Sequence, residues 1–443
     1  MDVRRATSQP CQDADPAIAP LKRAELIVED DKGRRRIMLQ RPVYSIGRHA
    51  DCDIRLISHF VSRHHATLTQ QAYPDGTLYY RIVDGNDRGK YSTNGLVVNG
   101  HRLRSHDLHS EDEVIFGPKV RATYFEFSCV ADRHQLCMRY RAGERDFRRA
   151  KLSGADLSGI NLSGIDLSEA DLSEANLQQT NLSNAYFRNT DFNRANLSHA
   201  NLSNAYFSEA NLERANLCQS DLSHAFLTDA NLTKAMMQRA ELIGADLTGS
   251  LLNRSNLQGA NLHQANLSGA YLRLACLTGA DLSEANLHRA DLTEVSLMSA
   301  NLQCSNLRGA SLIWADLQRA CLKQVNATYA DLTHASAVNA DLRNSNLSRA
   351  KLRKANLLEA NFANADLTEA DLDAAILSRA CLENANLIRA KLNRAVLSHA
   401  NLTASNLTRA LLVQTILLAT NLDDAILTDA HLVDIVMPDA SGR

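Results

Sequence analysis

From Phe147 to Met437 an apolar residue, nearly always leucine, returns at every fifth position with no slip of register. A small residue, usually alanine, stands two places before it, and polar residues fill the rest, as in Ala170-Asp171-Leu172-Ser173-Glu174. An α-helix would step such leucines about 140° around its axis and bury none of them well. A flat strand fails too, because an odd period carries successive leucines to opposite faces. The pattern is satisfied when Ala-x-Leu is a short extended piece with both apolar side chains inward and the next two residues turn a corner. Corners of one hand coil the chain, and stacked coils pair their backbone groups. Tyr186-Phe187, Tyr206-Phe207 and Phe226-Leu227 recur at intervals of twenty, which predicts four sides per coil.

This repeat resembles the pentapeptide-repeat family, which implies a right-handed quadrilateral β-helix; the handedness comes from the resemblance, not from the spacing. Each buried leucine is expected to contribute ~1.5–3 kcal/mol. Ala327 and Ala337 occupy leucine positions on opposite sides of the coil, and Val325 stands where alanine is usual. A locally soft zone is therefore expected at 325–337. Amide hydrogen exchange should run faster there than in the flanking coils, and equal rates would dismiss the idea.

Ahead of the repeats the period changes to two. Candidate strands are Ala24–Val28, Arg35–Leu39, Tyr44–Ile46, His65–Thr69, Leu78–Val83, Leu96–Val98, Glu113–Phe116 and Thr123–Phe127. Turn signals separate them at Asp30-Asp31-Lys32-Gly33, Pro74-Asp75-Gly76, Asp84-Gly85-Asn86 and Asn99-Gly100. So many short strands predict a β-sandwich. The expected organisation is all-β: a polar, disordered tail over 1–22, a sandwich over 23–130, a linker or helical cap over 131–146, the β-helix over 147–437 and a tail over 438–443.

The loops of the first unit carry the chemistry. Gly47-Arg48, Ser62-Arg63-His64-His65, Ser92-Thr93-Asn94-Gly95 and Asn99-Gly100 occur in that order. The set resembles the forkhead-associated (FHA) domain, a phosphothreonine-binding module. A phosphate dianion attracts charge-assisted donors, which an arginine and loop hydroxyls supply. The resemblance implies that Arg48 and Ser62 contact phosphate and that Arg63 adds a further basic contact. It implies that Thr93 recognises the threonine or its phosphate, and that Asn94 binds the ligand's main chain. Gly47, His65, Gly95 and Asn99 would brace the loops. The stretch from Gly85 to Tyr91 looks long for this family. Its Arg88 and Lys90 suggest a preference for an acidic residue after the phosphothreonine. Thr7, after Arg4-Arg5-Ala6, looks like a basophilic kinase site.

Composition narrows the function. The formal net charge of −2 gives no bulk attraction to nucleic acid or an anionic membrane. The nine cysteines include five scattered outward in the repeats (Cys218, Cys276, Cys304, Cys321, Cys381), which suits a reducing compartment. No CxxC and no His/Cys cluster at metal-ligand spacing is present, and no cofactor or metal is expected. No apolar run is long enough for a bilayer, and the N-terminus lacks an apolar signal core, so a cytoplasmic protein is expected. Near the end of the repeats the outward positions turn apolar: Ile376, Val396, Ile416 and Val436 recur at twenty. Val413, Val433, Leu411 and Leu418 enlarge the area, which reads as an interface for self-association or a partner.

Three functions are compatible with a chain of this kind. The first is a phosphothreonine-dependent adaptor in Ser/Thr kinase signalling, with the rod as spacer and second binding surface. The alternative is a DNA mimic acting on a topoisomerase, a role known in the pentapeptide-repeat family. Residues 147–443 hold 25 basic and 30 acidic side chains, too even a balance for a DNA-like field. The third, an enzyme, finds no catalytic trio or phosphate loop, and His49, His59 and His64 lack a nucleophile at known spacing.

Overall fold

The structure, a computed structural model, describes residues 22–73, 78–86, 89–128 and 133–436. Thr7, the turn at Pro74-Asp75-Gly76, Arg88, Met437 and the tail 438–443 lie outside the described residues. The chain divides into two compact units, residues 1–129 and 130–443.

The first unit is a sandwich of two sheets. Its strands are β1 (Lys22–Asp30), β2 (Gly33–Leu39), β3 (Val43–Gly47), β4 (Ile54–Arg55), β5 (Ala66–Ala72), β6 (Leu78–Asp84), β7 (Leu96–Val98), β8 (His101–Leu103), β9 (Ser105–Asp107), β10 (Glu113–Gly117) and β11 (Val120–Ser128). One sheet runs β2-β1-β11-β10-β7-β8 and the other β4-β3-β5-β6-β9. Alternating inward side chains, among them Leu26, Val28, Ile46, Leu68, Ile82, Val98, Val114 and Tyr124, close one core between the sheets. Every strand expected from the sequence is present. β4, β8 and β9 were not expected, because each holds at most one apolar residue and so shows no apolar pattern. β1 begins at Lys22, inside the segment read as tail.

The repeat unit opens with α1 (Arg133–Arg141), within the stretch read as linker or cap. Leu136 is buried in the repeat core, Tyr140 packs on it, and Tyr140 Oη donates to Ser163 O at 2.8 Å. The helix thus covers apolar side chains that the first coil would otherwise leave to water.

Each pentad then repeats one geometry. In the segment Asp171–Ala175, Ala175 N donates to Leu172 O at 3.1 Å, and Glu174 between them has φ +58°. A hydrogen-bonded turn with positive φ only at its third residue is a type II turn. Left-handed residues recur at every fifth position from Arg149 to Asp434, and most are not glycine. Ladder bonds hold coil to coil: Leu172 N donates to Asp191 O at 2.8 Å, and Asp171 N to Ala150 O at 2.9 Å. Parallel bridges join residues twenty apart from Asp146↔Asp166 to Ile416↔Val436, so four pentads make each coil. The inward Leu, Phe and Ala positions form one continuous core.

Side chains on the outside extend this ladder. Asn216, Asn196 and Asn176 each donate through Nδ2 to the residue twenty before, ending on Asp156, which has no N–H with which to pass the chain on. Tyr186, Tyr206 and Phe226 stack with centroids 4.9 and 4.7 Å apart and ring planes within 7° of parallel. Only ring edges face outward in such a column. Ala327 and Ala337 are buried at leucine positions, and their ladder bonds, to Asn346 O and Asn356 O, are both 2.7 Å. Any softness there originates in side-chain packing, not in a gap in the backbone ladder.

Candidate functional site

Three loops of the sandwich meet: the β3–β4 loop with Arg48, the β4–β5 loop with Ser62 and Arg63, and the β6–β7 loop with Thr93 and Asn94. Backbone bonds tie the first two, from Arg48 N to Ser62 O at 3.1 Å and from His49 N to Arg63 O at 3.0 Å. Gly47 makes this approach possible, since a Cβ there would lie 2.3 Å from Arg63 O. The third loop is tied by hydroxyls: Thr93 N donates to Ser62 Oγ at 2.9 Å, and Ser62 Oγ donates to Thr93 Oγ1 at 3.3 Å. Arg48, Arg63, Thr93 and Asn94 are exposed and Ser62 half-buried around this junction. Among the described residues, neither Arg48 nor Arg63 has a carboxylate within salt-bridge distance. The surface so formed is cationic and rich in hydroxyl groups, the chemistry that a phosphoryl dianion takes up.

His65 is the brace beneath it. It is fully buried, with Nε2 3.1 Å from Gly95 O and Nδ1 3.4 Å from Ser62 N. Those partners require the neutral Nε2–H tautomer, which donates to Gly95 and accepts from Ser62. Burial holds its pKa below the ordinary 6.5, against smaller opposing effects of the Gly95 carbonyl and Asp84. The unfolded chain therefore takes up a proton before the folded chain does. The stability due to His65 is present above pH 6.5 and is lost as the pH falls through and below that value. Thermal melts should show the sandwich weakening as the pH falls below 6.5, and a His65→Gln variant should lose this part of the slope.

Other residues brace the loops in ways that spacing did not reveal. Gly95 has φ +75°, and a Cβ there would meet Arg102 Nε at 2.5 Å. Gly85 has φ +90°, and a Cβ there would lie 2.2 Å from Lys90 O, so a tight turn sets the start of the long β6–β7 loop. Lys90 is exposed. Asn94 differs from expectation in part: its Nδ2 donates to Phe60 O at 2.6 Å, so its amide joins two loops rather than only awaiting a ligand. Phe60 is 61% exposed beside these loops, a feature the sequence does not signal, because a lone aromatic in a loop carries no periodicity. Asn99, at φ +50°, bonds Asp112 through Nδ2 at 2.7 Å and accepts from Glu113 N at 2.9 Å. It braces the β7–β8 turn, away from the junction.

On the repeat unit, Ile376, Val396, Ile416 and Val436 pair in sequence as parallel bridges and form one outward column. Ile376 and Val436 are 42% and 46% exposed. Val413 and Val433 pair in a second column, on β12 (Leu411–Val413) and β13 (His431–Val433). In the last described coil the inward positions also open: Leu432 is exposed, and Leu422, Leu427 and Ile435 are only partly buried.

Sandwich and coil fit known families. The chain belongs to the pentapeptide-repeat family, whose repeats match eight stretches between residues 146 and 417, and an FHA domain matches residues 44–117. It is 30% identical to HetL, a pentapeptide repeat protein involved in heterocyst differentiation regulation from the cyanobacterium Nostoc; the match covers 70% of this chain and 99% of that one, with a TM-score of 0.18. The chain is 38% identical over 91 residues to the oxoglutarate dehydrogenase inhibitor of Corynebacterium diphtheriae, covering 20% of this chain and 56% of the relative. An uncharacterized Synechocystis protein, sll1895, is 33% identical over 100 residues, covering 23% of this chain and 14% of the relative. The chain thus spans about half of one curated relative and a small part of the other. Both matched families are non-catalytic binding modules, and the FHA domain implies phosphopeptide binding. No helix among the described residues is long and apolar enough to cross a membrane.

Proposed function

We propose that this protein is a cytoplasmic, phosphothreonine-dependent adaptor in Ser/Thr kinase signalling. The sandwich binds a phosphothreonine-containing protein, a Ser/Thr kinase or its substrate, and the repeat rod serves as spacer and second interaction surface. Arg48, Ser62, Arg63, Thr93 and Asn94 form the phosphopeptide site. The observation that carries this reading is the Ser62–Thr93 hydroxyl pair, on loops tied to those of Arg48 and Arg63, two exposed arginines with no carboxylate partner among the described residues. Calorimetric titration tests it: a phosphothreonine peptide should bind and its unphosphorylated counterpart should not. Equal, negligible heats would overturn the reading.

The apolar columns of the last coils are proposed as the second surface, where the rod associates with another copy of itself. Their exposed valine and isoleucine side chains supply the area, and the partly opened core positions beside them add to it. The double change Val396→Asp with Ile416→Asp should lower the oligomeric state measured by light scattering. An unaltered mass would remove the surface from the account. The even charge of the rod favours no nucleic-acid partner.

A further inference from the structure

The sequence shows no metal-ligand spacing among histidines and cysteines, yet the fold gathers His106, His109 and Asp112 at the end of β9 and the turn into β10. One ligand atom from each lies within 4.8 Å of the others. We propose that these three residues form a binding site for a divalent transition-metal ion of the Zn2+ class.

The donor set is two imidazoles and a carboxylate, which suits zinc with a fourth position left for water or a partner's side chain. His106 Nε2 is 2.9 Å from Asp112 Oδ2, and His109 Nδ1 is 3.9 Å from the same oxygen. Ligands about 2.0–2.1 Å from a tetrahedral ion stand roughly 3.3 Å apart, so the required movements are small. The His109 ring, whose side chain is 68% exposed, is free to make most of them. The ion takes the Nε2 lone pair in place of the Nε2···Oδ2 hydrogen bond, and the proton of the neutral His106 ring then sits on Nδ1.

The carboxylate is also held from behind. Asp112 Oδ1 accepts from Asn99 Nδ2 at 2.7 Å, and Oδ2 accepts from His109 N at 2.8 Å. Partners of this kind orient a metal-binding carboxylate. Burial would raise the Asp112 carboxyl, but the His109 N–H, the Asn99 amide and His106 hold it below its ordinary value and keep it ionised. β6 and β9 are antiparallel, with Arg81 opposite Asp107 and Val83 opposite Ser105. The trio therefore lies at the end of the sandwich opposite the β6–β7 loop, and a metal there leaves the peptide-binding junction clear.

The plain alternative is a hydrogen-bonded staple that needs no ion. Titration of the full, metal-free chain with Co2+ and with Zn2+ separates the two. The expected result is one equivalent bound, a visible cobalt spectrum without a thiolate charge-transfer band, and a melting temperature of the sandwich raised by Zn2+. The exposed ligand permits a variant that keeps the fold: His109→Ala should bind at least ~tenfold more weakly and lose the thermal shift, while His101→Ala should behave as the unaltered chain. Unchanged binding in His109→Ala, or no binding tighter than about 1 mM in the unaltered chain, overturns the proposal.

Discussion

Replacing Arg48 with alanine should weaken binding of a phosphothreonine peptide by about two orders of magnitude, or about 3 kcal/mol. The loss is large because a charge-assisted donor to a phosphoryl dianion is removed and the remaining hydroxyls cannot neutralise the charge. Ser62→Ala should cost less in direct phosphate contact, but it also removes the oxygen that accepts from Thr93 N. Its effect should therefore include loosening of the β6–β7 loop. Arg48→Ala should leave the melting temperature almost unchanged. The Arg48 side chain is exposed, and its structural bond, to Ser62 O, comes from the backbone N–H, which alanine keeps. Calorimetry of both variants with the same peptide makes the test, and undiminished affinity in Arg48→Ala would remove this site from consideration. Raising the salt should weaken binding to the unaltered chain, as screening predicts for an exposed charged site.

Phe207→Ala should destabilise the repeat unit by about 3–5 kcal/mol. Phe207 is fully buried, 4.8 Å from the Phe187 ring and 5.7 Å from Phe192, which is itself 5.0 Å from Phe187. Three rings inside a narrow four-sided coil leave a void that the stiff backbone ladder cannot close by collapse. In a stacked repeat, stability is a sum of coil terms and neighbour interfaces, so a defect here should spread to adjoining coils and broaden the unfolding transition. Tyr206→Ser, one residue earlier but pointing outward, removes only a surface stacking contact and should cost under about 1.5 kcal/mol. Denaturant melts of the two variants compare inside and outside at nearly the same point along the coil. Similar losses for both would show that the aromatic cluster does not carry the core there.

The repeat was legible because its period is long-lived: one register, kept from Phe147 to Met437, excludes helix and flat strand by simple geometry. The strands of the sandwich were legible where apolar residues recur between turn signals, and β4, β8 and β9 escaped because each holds at most one apolar residue. The loops proposed to hold a phosphopeptide were legible from motif order. Motif order did not reveal that Asn94 is bonded to Phe60 O, that Gly85 sits against Lys90 O, or that Phe60 stands exposed nearby. Each depends on chain segments separated by many residues or on a turn whose φ no residue type dictates.

By itself, the sequence determined that the second unit is a coil of five-residue sides with leucine inside, because an odd period and a fixed inward residue leave no other way to bury the apolar positions. It also determined the two-sheet character of the first unit, through alternation and turn residues. Tertiary structure alone decided which polar groups meet. It joined Ser62 to Thr93 across 31 residues, placed His65 under both loops, and brought His106, His109 and Asp112 around one point. Local pattern governs which face of a strand is buried, whereas the positions of loop side chains follow from strand pairing between distant segments, which a linear pattern does not contain.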